Sequence, residues 1–157
     1  MLEICVINKM QVFNAFYIVL DSNVIIASFA SRGLCYDVFE LCLSEHQIVI
    51  SKALLREIAR GLRKKIKLPK SLVKRIQDFL TSESEIAMAA KVPSDSCRDP
   101  GDLEILGIAL VSRADVIVSG DEDLLALKEF RSIPVLSPRE FWHFIQRRVR
   151  RSKGCQK

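Results

Sequence analysis

Several signals that would assign this chain to a common class of protein are absent or sparse. Its five cysteines are odd in number, scattered and without a C-x-x-C pair, and His46 and His143 do not complete the ligand spacing of a zinc site. No apolar run approaches the roughly 18 residues of a membrane span. The first ten residues, MLEICVINKM, lack the basic start of a signal peptide. We therefore expect a protein of a reduced, cytoplasmic compartment that does not contact a membrane.

Signals for a nucleotide cofactor and for a divided chain are missing as well. No G-x-G-x-x-G follows a strand pattern, which argues against a dinucleotide site. The aromatic fraction is 7%, and aromatic residues do not alternate with basic ones as they do on a base-stacking platform. With 157 residues, 49% of them apolar, and no repeat or long linker, the chain predicts one domain with a real core. We place this domain at residues 17–146, between an N-terminal extension (1–16) and a basic C-terminal tail (147–157).

Positive charge is in excess, with 24 Lys and Arg against 19 Asp and Glu, which gives a formal net charge of +5. Part of this excess lies in the tail RRVRRSKGCQK. Such a balance favours polyanionic partners, although it does not by itself identify a function.

Short apolar runs alternate with segments of helical spacing. The runs predict five strands, at Tyr17–Leu20, Gln47–Ser51, Ile86–Ala90, Asp115–Ser119 and Ile133–Leu136. Strands and helices that alternate in this way are typical of an α/β fold, with a mainly parallel central sheet in a three-layer α/β/α sandwich. We expect the helix after the second strand to end near Gly61 and the basic run RKKIK, and a last helix to open at Ser137.

Acidic residues follow the predicted strands or lie near the helix starts beyond them. In open α/β sheets, ligands bind beyond the carboxyl ends of the strands. Asp21 follows the first strand, Glu57 lies in the helix after the second, Asp102 opens a buried helix, and Asp121 follows the fourth strand. The sequence therefore makes these four residues candidates for one site.

Each candidate also has a purely structural interpretation. Asp21 and Asp121 each precede a helix and could serve as its N-cap. Asp99, with Pro100 after it, could be the N-cap of the next helix and form a capping-box-like pair with Asp102. Glu57 could be a solvated residue paired with Arg56 or Arg60. If the carboxylates do converge, however, they repel one another unless a cation neutralises them, and Mg²⁺ and Mn²⁺ prefer oxygen ligands. Such a site suits the hydrolysis of a phosphodiester.

Five blocks of the sequence together resemble the PIN-domain ribonucleases. They are VLDSNVIIASF, ISKALLREI, RDPGDLEILGIAL, ADVIVSGDEDLLAL and IPVLSPREF, and they extend from about Tyr17 to Phe144. The resemblance implies a parallel sheet with strand order 3-2-1-4-5, in which Asp21 lies beside Asp121. The four acidic positions of the family correspond to Asp21, Glu57, Asp102 and Asp121, as catalytic residues and metal ligands. Secondary positions correspond to Asp99, Asp123, Asn23 and Ser119.

The nearest branch of that family comprises bacterial and archaeal toxins of toxin–antitoxin systems. The resemblance implies an endonuclease that cleaves single-stranded RNA with Mg²⁺ or Mn²⁺, forms a homodimer and is inhibited by a cognate antitoxin protein. Cations near the acidic positions would then be candidates for contacts with RNA phosphates, namely Lys52, Arg56, Lys64, Lys65 and Arg98.

Two other classes of function remain open at the level of sequence. The first is a catalytically inactive PIN-like module that binds RNA or assembles a complex. The second is a phosphotransfer enzyme or receiver domain, since these also carry acids at strand ends. Asn23 stands where a haloacid-dehalogenase-like enzyme would usually have Asp, and Ser137-Pro138 follows the last strand where a receiver domain would have Lys.

Overall fold

Six strands of the described chain form one sheet. The computed structural model describes residues 15–153, with side chains as far as Val149. The strands are β1 (Tyr17–Leu20), β2 (Gln47–Ile50), β3 (Glu85–Ile86), β4 (Val116–Val118), β5 (Glu129–Phe130) and β6 (Ile133–Leu136). Their order is β3-β2-β1-β4-β6-β5, and every pairing is parallel except that of β5 with β6.

Seven helices of the described chain connect and cover these strands. They are α1 (Ser22–Ala30), α2 (Leu34–Glu45), α3 (Lys52–Lys64), α4 (Lys70–Glu83), α5 (Pro100–Ser112), α6 (Glu122–Leu125) and α7 (Pro138–Lys153). Consecutive residues of β1 (Ile18, Val19 and Leu20) are all fully buried. Because neighbouring strand residues point to opposite faces, both faces of the sheet are covered. Within the described chain, no helix is both long and apolar enough to cross a membrane.

The predicted α/β architecture and the order of the five predicted strands are confirmed, with the fifth of them being β6. β1 pairs with β2 on one side and β4 on the other, so the ends of β1 and β4 are neighbours. The difference from the predicted order is the added edge strand β5. It has only two residues and is joined to β6 by Arg131 and Ser132, which both adopt positive φ. An alternating pattern cannot be recognised in two residues.

One predicted strand boundary is wrong, and the end of α3 agrees with its prediction. The third strand was expected to continue to Ala90, but β3 ends at Ile86. The Ala90 N–H instead donates to the Gly107 carbonyl of α5 at 3.0 Å, which draws the segment out of the sheet. α3 passes Gly61 and ends at Lys64, within the basic run RKKIK where its end was predicted. Gly61 lies where α3 crosses α1, and a Cβ there would overlap the side chain of Ile26, so this glycine permits close packing of the two helices.

The last helix begins as predicted. The Ser137 hydroxyl accepts from the Glu140 N–H at 3.2 Å, and the Glu140 carboxylate accepts from the Ser137 N–H at 2.8 Å, which is a capping box. α7 then extends to Lys153, so residues 147–153, which we assigned to the tail, are helical. Residues 154–157 of the tail and 1–14 of the N-terminal extension lie outside the described residues.

Candidate active site

Asp21 lies directly after β1, with its side chain only 5% exposed. Its N–H donates to the Val118 carbonyl at 2.9 Å, which holds the residue against the end of β4. Although Asp21 is at the N-cap position of α1, its side chain accepts no capping hydrogen bond. Its Oδ2 instead accepts from the Ser119 hydroxyl at 2.8 Å. A capping role therefore does not explain this buried carboxylate.

Glu57 reaches the same place from α3. Its Oε1 accepts from the Ser22 hydroxyl at 2.6 Å, whereas the distance from that hydroxyl to Asp21 Oδ1 is 3.4 Å. A hydroxyl has one proton to donate, so the shorter contact is the stronger bond. The Glu57 side chain is exposed, yet within the described chain it forms no ion pair with Arg56 or Arg60. The predicted pairing of Glu57 with Arg56 or Arg60 is therefore wrong, whereas its predicted exposure to solvent is confirmed.

Asp121 follows the end of β4 and has two contacts of different kinds. Its Oδ1 accepts from the N–H groups of Asp123 and Leu124, at 2.8 and 3.4 Å, so the predicted N-cap of α6 is present. Its own N–H donates to the Ser119 hydroxyl at 3.0 Å. Ser119 is completely buried and thus links Asp21 to Asp121 through one oxygen atom. Only one carboxylate oxygen of Asp121 takes part in the cap.

Asp102 lies in the first turn of α5, and its side chain is 6% exposed. Asp99 is the N-cap of this helix, as predicted, and accepts from the Gly101 N–H at 3.0 Å. The Asp102 carboxylate does not complete a capping box. Its Oδ2 accepts instead from the Cys97 thiol at 3.5 Å. α5 therefore presents a buried carboxylate whose hydrogen-bond partner is a thiol that the sequence did not single out.

Electrostatic interactions connect the four acidic residues. The pKa of Asp102 is raised to about 6, mainly by burial and in addition by the nearby charges of Asp121, Asp21 and Asp99, against the lowering effect of the Cys97 hydrogen bond. Burial also raises the pKa of Asp21, and the Ser119 hydrogen bond opposes it. The charges of Glu57 and Asp121 add to the rise at Asp21. The structure thus brings the four candidates together in one acidic cluster, which we define as Asp21, Glu57, Asp102 and Asp121.

In the described chain, the side chains of the secondary candidates Asn23 and Asp123 form no hydrogen bond to the acidic cluster. Asn23 is exposed, and its Oδ1 accepts from the Lys65 ammonium group at 2.8 Å. The backbone N–H of Asp123 serves the cap of Asp121, and its half-buried carboxylate borders a groove that also contains Cys97 and Arg98. Roles for Asn23 and Asp123 in positioning a ligand remain predictions.

Sequence reasoning did not assign Ser51 or Glu104 to this edge of the sheet. The Ser51 hydroxyl caps α3 by accepting from the Leu54 N–H at 3.1 Å, and it donates to Glu104 Oε1 at 2.6 Å. A serine between a strand and a helix is a recognisable cap signal. Nothing local marks Glu104, because its partner is 53 residues away in the chain.

The donor set of the acidic cluster fits a hard divalent cation. All four groups are carboxylates, and two of them are buried with raised pKa values, so their charge is costly without a counter-ion. In the part of the chain that the structure describes, no three His, Cys, Asp or Glu side chains are grouped closely enough to hold a metal by themselves. Mg²⁺ usually keeps several waters and takes only one or two carboxylates, together with substrate phosphates. The arrangement therefore suits a hydrated ion better than a closed protein cage.

The sheet is mainly parallel, and carboxylates gather at the ends of its central strands. These two features define the class of protein as an α/β domain with a candidate active site made of acidic residues. The model of the PIN domain matches residues 17–123, and the chain belongs to the PIN-domain family. PIN domains are generally nucleases and typically use divalent metals. No curated protein matches the sequence.

Two solved structures share the fold. VapBC2 from Rickettsia felis, bound to a DNA fragment from its promoter, is 21% identical with a TM-score of 0.56, over 77% of this chain and 98% of that one. VapBC-1 from nontypeable Haemophilus influenzae is 15% identical with a TM-score of 0.56, over 78% of this chain and 98% of that one. At these identities the likeness shows a common fold.

Replacing Ser119 by Ala tests its role as a positioning residue. The variant loses the hydroxyl that lowers the Asp21 pKa and that accepts from the Asp121 N–H. We expect Mn²⁺ affinity to fall about 10–100-fold, as for other groups that orient metal ligands. The Asp21 pKa should rise, so the pH below which Mn²⁺ binding is lost should also rise. Ser112→Ala, which removes a half-buried hydroxyl at the far end of α5, is the control and should leave both properties unchanged.

Asp102 makes the stability of the metal-free protein dependent on pH. Its pKa in the folded state, about 6, lies above the ordinary value of 3.8, so the folded state binds more protons between these values. Stability should therefore fall as pH rises from about 4 to 6. We expect Asp102→Asn to flatten this fall and to be about 1 kcal/mol more stable than wild type at pH 7, after allowance for solvent screening. Urea denaturation in EDTA at several pH values measures both, and a less stable variant at pH 7 would contradict the repulsion described here.

Proposed function

We propose that this protein is a divalent-metal-dependent endoribonuclease that hydrolyses phosphodiester bonds of single-stranded RNA. The observation that carries the proposal is the acidic cluster, in which two buried carboxylates have raised pKa values because of burial and mutual repulsion. Membership of the PIN-domain family supports the same reaction class.

In this proposal the four carboxylates have different tasks. Asp21, Asp102 and Asp121 would hold Mg²⁺ or Mn²⁺, directly or through water. When bound, the cation supplies a water of lowered pKa and neutralises charge on the scissile phosphate. Glu57 is exposed and held by Ser22, so it could also bind the metal, or accept the proton of the attacking water. Ser119 fixes the orientation of Asp21 through its hydroxyl.

We further propose that the protein is the toxin of a toxin–antitoxin pair in the cytoplasm. Its partners would be a cognate antitoxin protein and a second copy of the same chain. The resemblance of its sequence blocks to toxin PIN domains supports this role, as does the fold that it shares with the VapBC structures. Co-purification with the product of a neighbouring gene, and loss of RNA cleavage in that complex, would test it.

The reaction itself is tested by incubating the full chain with a mixed pool of single-stranded RNA, in Mn²⁺ or Mg²⁺ and in EDTA. We expect cleavage only with the metal, and sequencing of the cut ends would report any preference for sequence. Single-stranded DNA of the same sequences serves as the control substrate. RNA that is bound but not cut under all metal conditions would favour the inactive PIN-like module instead. Cleavage that persists in EDTA would contradict a metal-dependent mechanism.

A further inference from the structure

α3 is one of two strongly basic helices of the described chain, the other being α7. Its sequence, KALLREIARGLRK, contains five cations and one carboxylate. That carboxylate, Glu57, is bonded to Ser22 and so belongs to the acidic cluster. The cations of α3 therefore have no neutralising partner on their own helix.

Four of these cations line one groove between α3 and α4. The groove has a volume of about 450 Å³ and is bordered by Arg56, Ala59, Arg60, Arg63, Lys64 and, from α4, Gln77. All four cationic side chains are exposed, and none of them has an ion-pair partner among the described residues. On α4, by contrast, the exposed Lys74 is neutralised by an ion pair with Asp78 at 2.8 Å. A groove with four unpaired cations attracts polyanions.

The basic groove begins beside the acidic cluster. Arg56 precedes Glu57 in the chain, and Lys65, just after α3, donates to Asn23, two residues after Asp21. From Arg56 to Lys64 a helix rises about 12 Å. The spacing of these cations places them on one side of the helix.

The acidic cluster itself cannot attract RNA. Four carboxylates facing a polyanion repel it, and even a bound divalent cation offsets only part of their charge. The affinity for the phosphate backbone must therefore come from cations elsewhere on the surface. The basic groove supplies such cations on the same helix as Glu57, with Arg60 one turn after it.

We propose that the groove between α3 and α4 binds the phosphate backbone of single-stranded RNA next to the bond that is cut. This assignment rests on the proposed function and adds to it the path of the substrate. Arg60 and Arg63 hold phosphates, and Gln77 offers a neutral donor on the opposite wall of the groove. Contacts of this kind position RNA without reading its sequence.

The test measures binding of a fluorescein-labelled single-stranded RNA to the full chain in EDTA, over a range of salt concentrations. Removing two phosphate contacts in the double variant Arg60→Gln/Arg63→Gln should reduce the slope of log K against log salt by about 1.4. Affinity at 100 mM salt should fall about tenfold. The matched control is Arg113→Gln/Arg131→Gln, which also removes two positive charges and should leave the slope unchanged. These two arginines precede β4 and β6, at the edge of the sheet opposite to the acidic cluster. Thermal melting confirms that both variants fold.

The possible outcomes separate this inference from the proposed function. If the wild type cuts RNA but the groove variant keeps its affinity and salt slope, the groove assignment is wrong while the nuclease assignment stands. If the wild type binds RNA through the groove but never cuts it, the groove assignment stands alone. Binding of polyglutamate, a model of an acidic protein, is measured in the same way. If the groove variant loses binding of polyglutamate but not of RNA, the surface serves an acidic protein partner and our assignment is overturned. In the active enzyme we expect the variant to raise KM about tenfold, with kcat changed less than threefold.

Discussion

Asp21→Asn is expected to reduce RNA cleavage at least about 10³-fold, because the proposed role of this carboxylate in holding the metal is worth several kcal/mol. Asn keeps the size of the side chain and an oxygen that can accept from the Ser119 hydroxyl. It removes the charge that a cation would require. The measurement is the initial rate of cleavage of one RNA oligonucleotide at saturating Mn²⁺, compared with wild type.

The same variant separates a catalytic effect from a structural one. Because the charge of Asp21 is repelled by Glu57 and Asp121, its removal should leave the metal-free protein as stable as wild type, or more so. Asp78→Asn removes an exposed carboxylate from α4 and is the matched control, with cleavage expected within about twofold of wild type. A rate for Asp21→Asn within tenfold of wild type, in a folded protein, would refute its assignment as a metal ligand.

Gly107→Ala is expected to lower the free energy of unfolding by about 2–4 kcal/mol. Gly107 is buried in α5, and its carbonyl accepts from the Ala90 N–H at 3.0 Å. A Cβ at this position would overlap the Ala90 carbonyl oxygen and lie 3.0 Å from the Ala89 Cβ. Since the first neighbour is backbone, the segment after β3 has to move away from α5 and the hydrogen bond is lost. Urea denaturation measures the change.

The matched control for this prediction is Gly33→Ala. Gly33 has negative φ, and a Cβ there would meet nothing within 4 Å. As it is the N-cap of α2, Ala should cost at most about 1 kcal/mol. Equal losses for the two variants would show that α5 and the segment after β3 are not packed as described. We also expect Gly107→Ala to reduce cleavage, because the displaced segment leads to Cys97, which contacts Asp102.

The parts of the fold that sequence predicts are those with a strong local signal. Tyr17–Leu20 and Ile133–Leu136 are predicted to the residue, because apolar runs end there at Asp21 and Ser137. The capping box at Ser137 and Glu140 is equally local. The prediction for Ile86–Ala90 fails because apolarity alone does not distinguish a paired strand from a segment that packs on α5. The packing role of the glycine in α3 is not visible in the sequence for a similar reason, since its packing partner lies on another helix.

The candidate site also has a part that the sequence predicts and a part that only the structure shows. The acidic residues can be chosen from their positions after strands, and the family resemblance places Asp21 beside Asp121. The hydrogen bonds that hold them cannot be derived locally. Ser119 and Asp21 are 98 residues apart, and Ser22 and Glu57 are 35 apart, so each contact exists only once the sheet has formed. The distinction between cap and ligand for Asp21 also needs the structure, because only the contacts show that its carboxylate caps nothing.

The central claim, that the acidic cluster is a divalent-cation site, is tested most directly by calorimetric titration of Mn²⁺ into the metal-free protein. We predict that Mn²⁺ binds at pH 7.5, that binding measured near pH 6 releases protons, and that binding is weaker at pH 5. Binding should be lost in Asp21→Asn but not in Asp78→Asn. Proton release follows because the raised pKa of Asp102 leaves part of its carboxyl protonated near pH 6. Absence of binding at every pH, or binding that is equal in wild type and Asp21→Asn, would contradict the account.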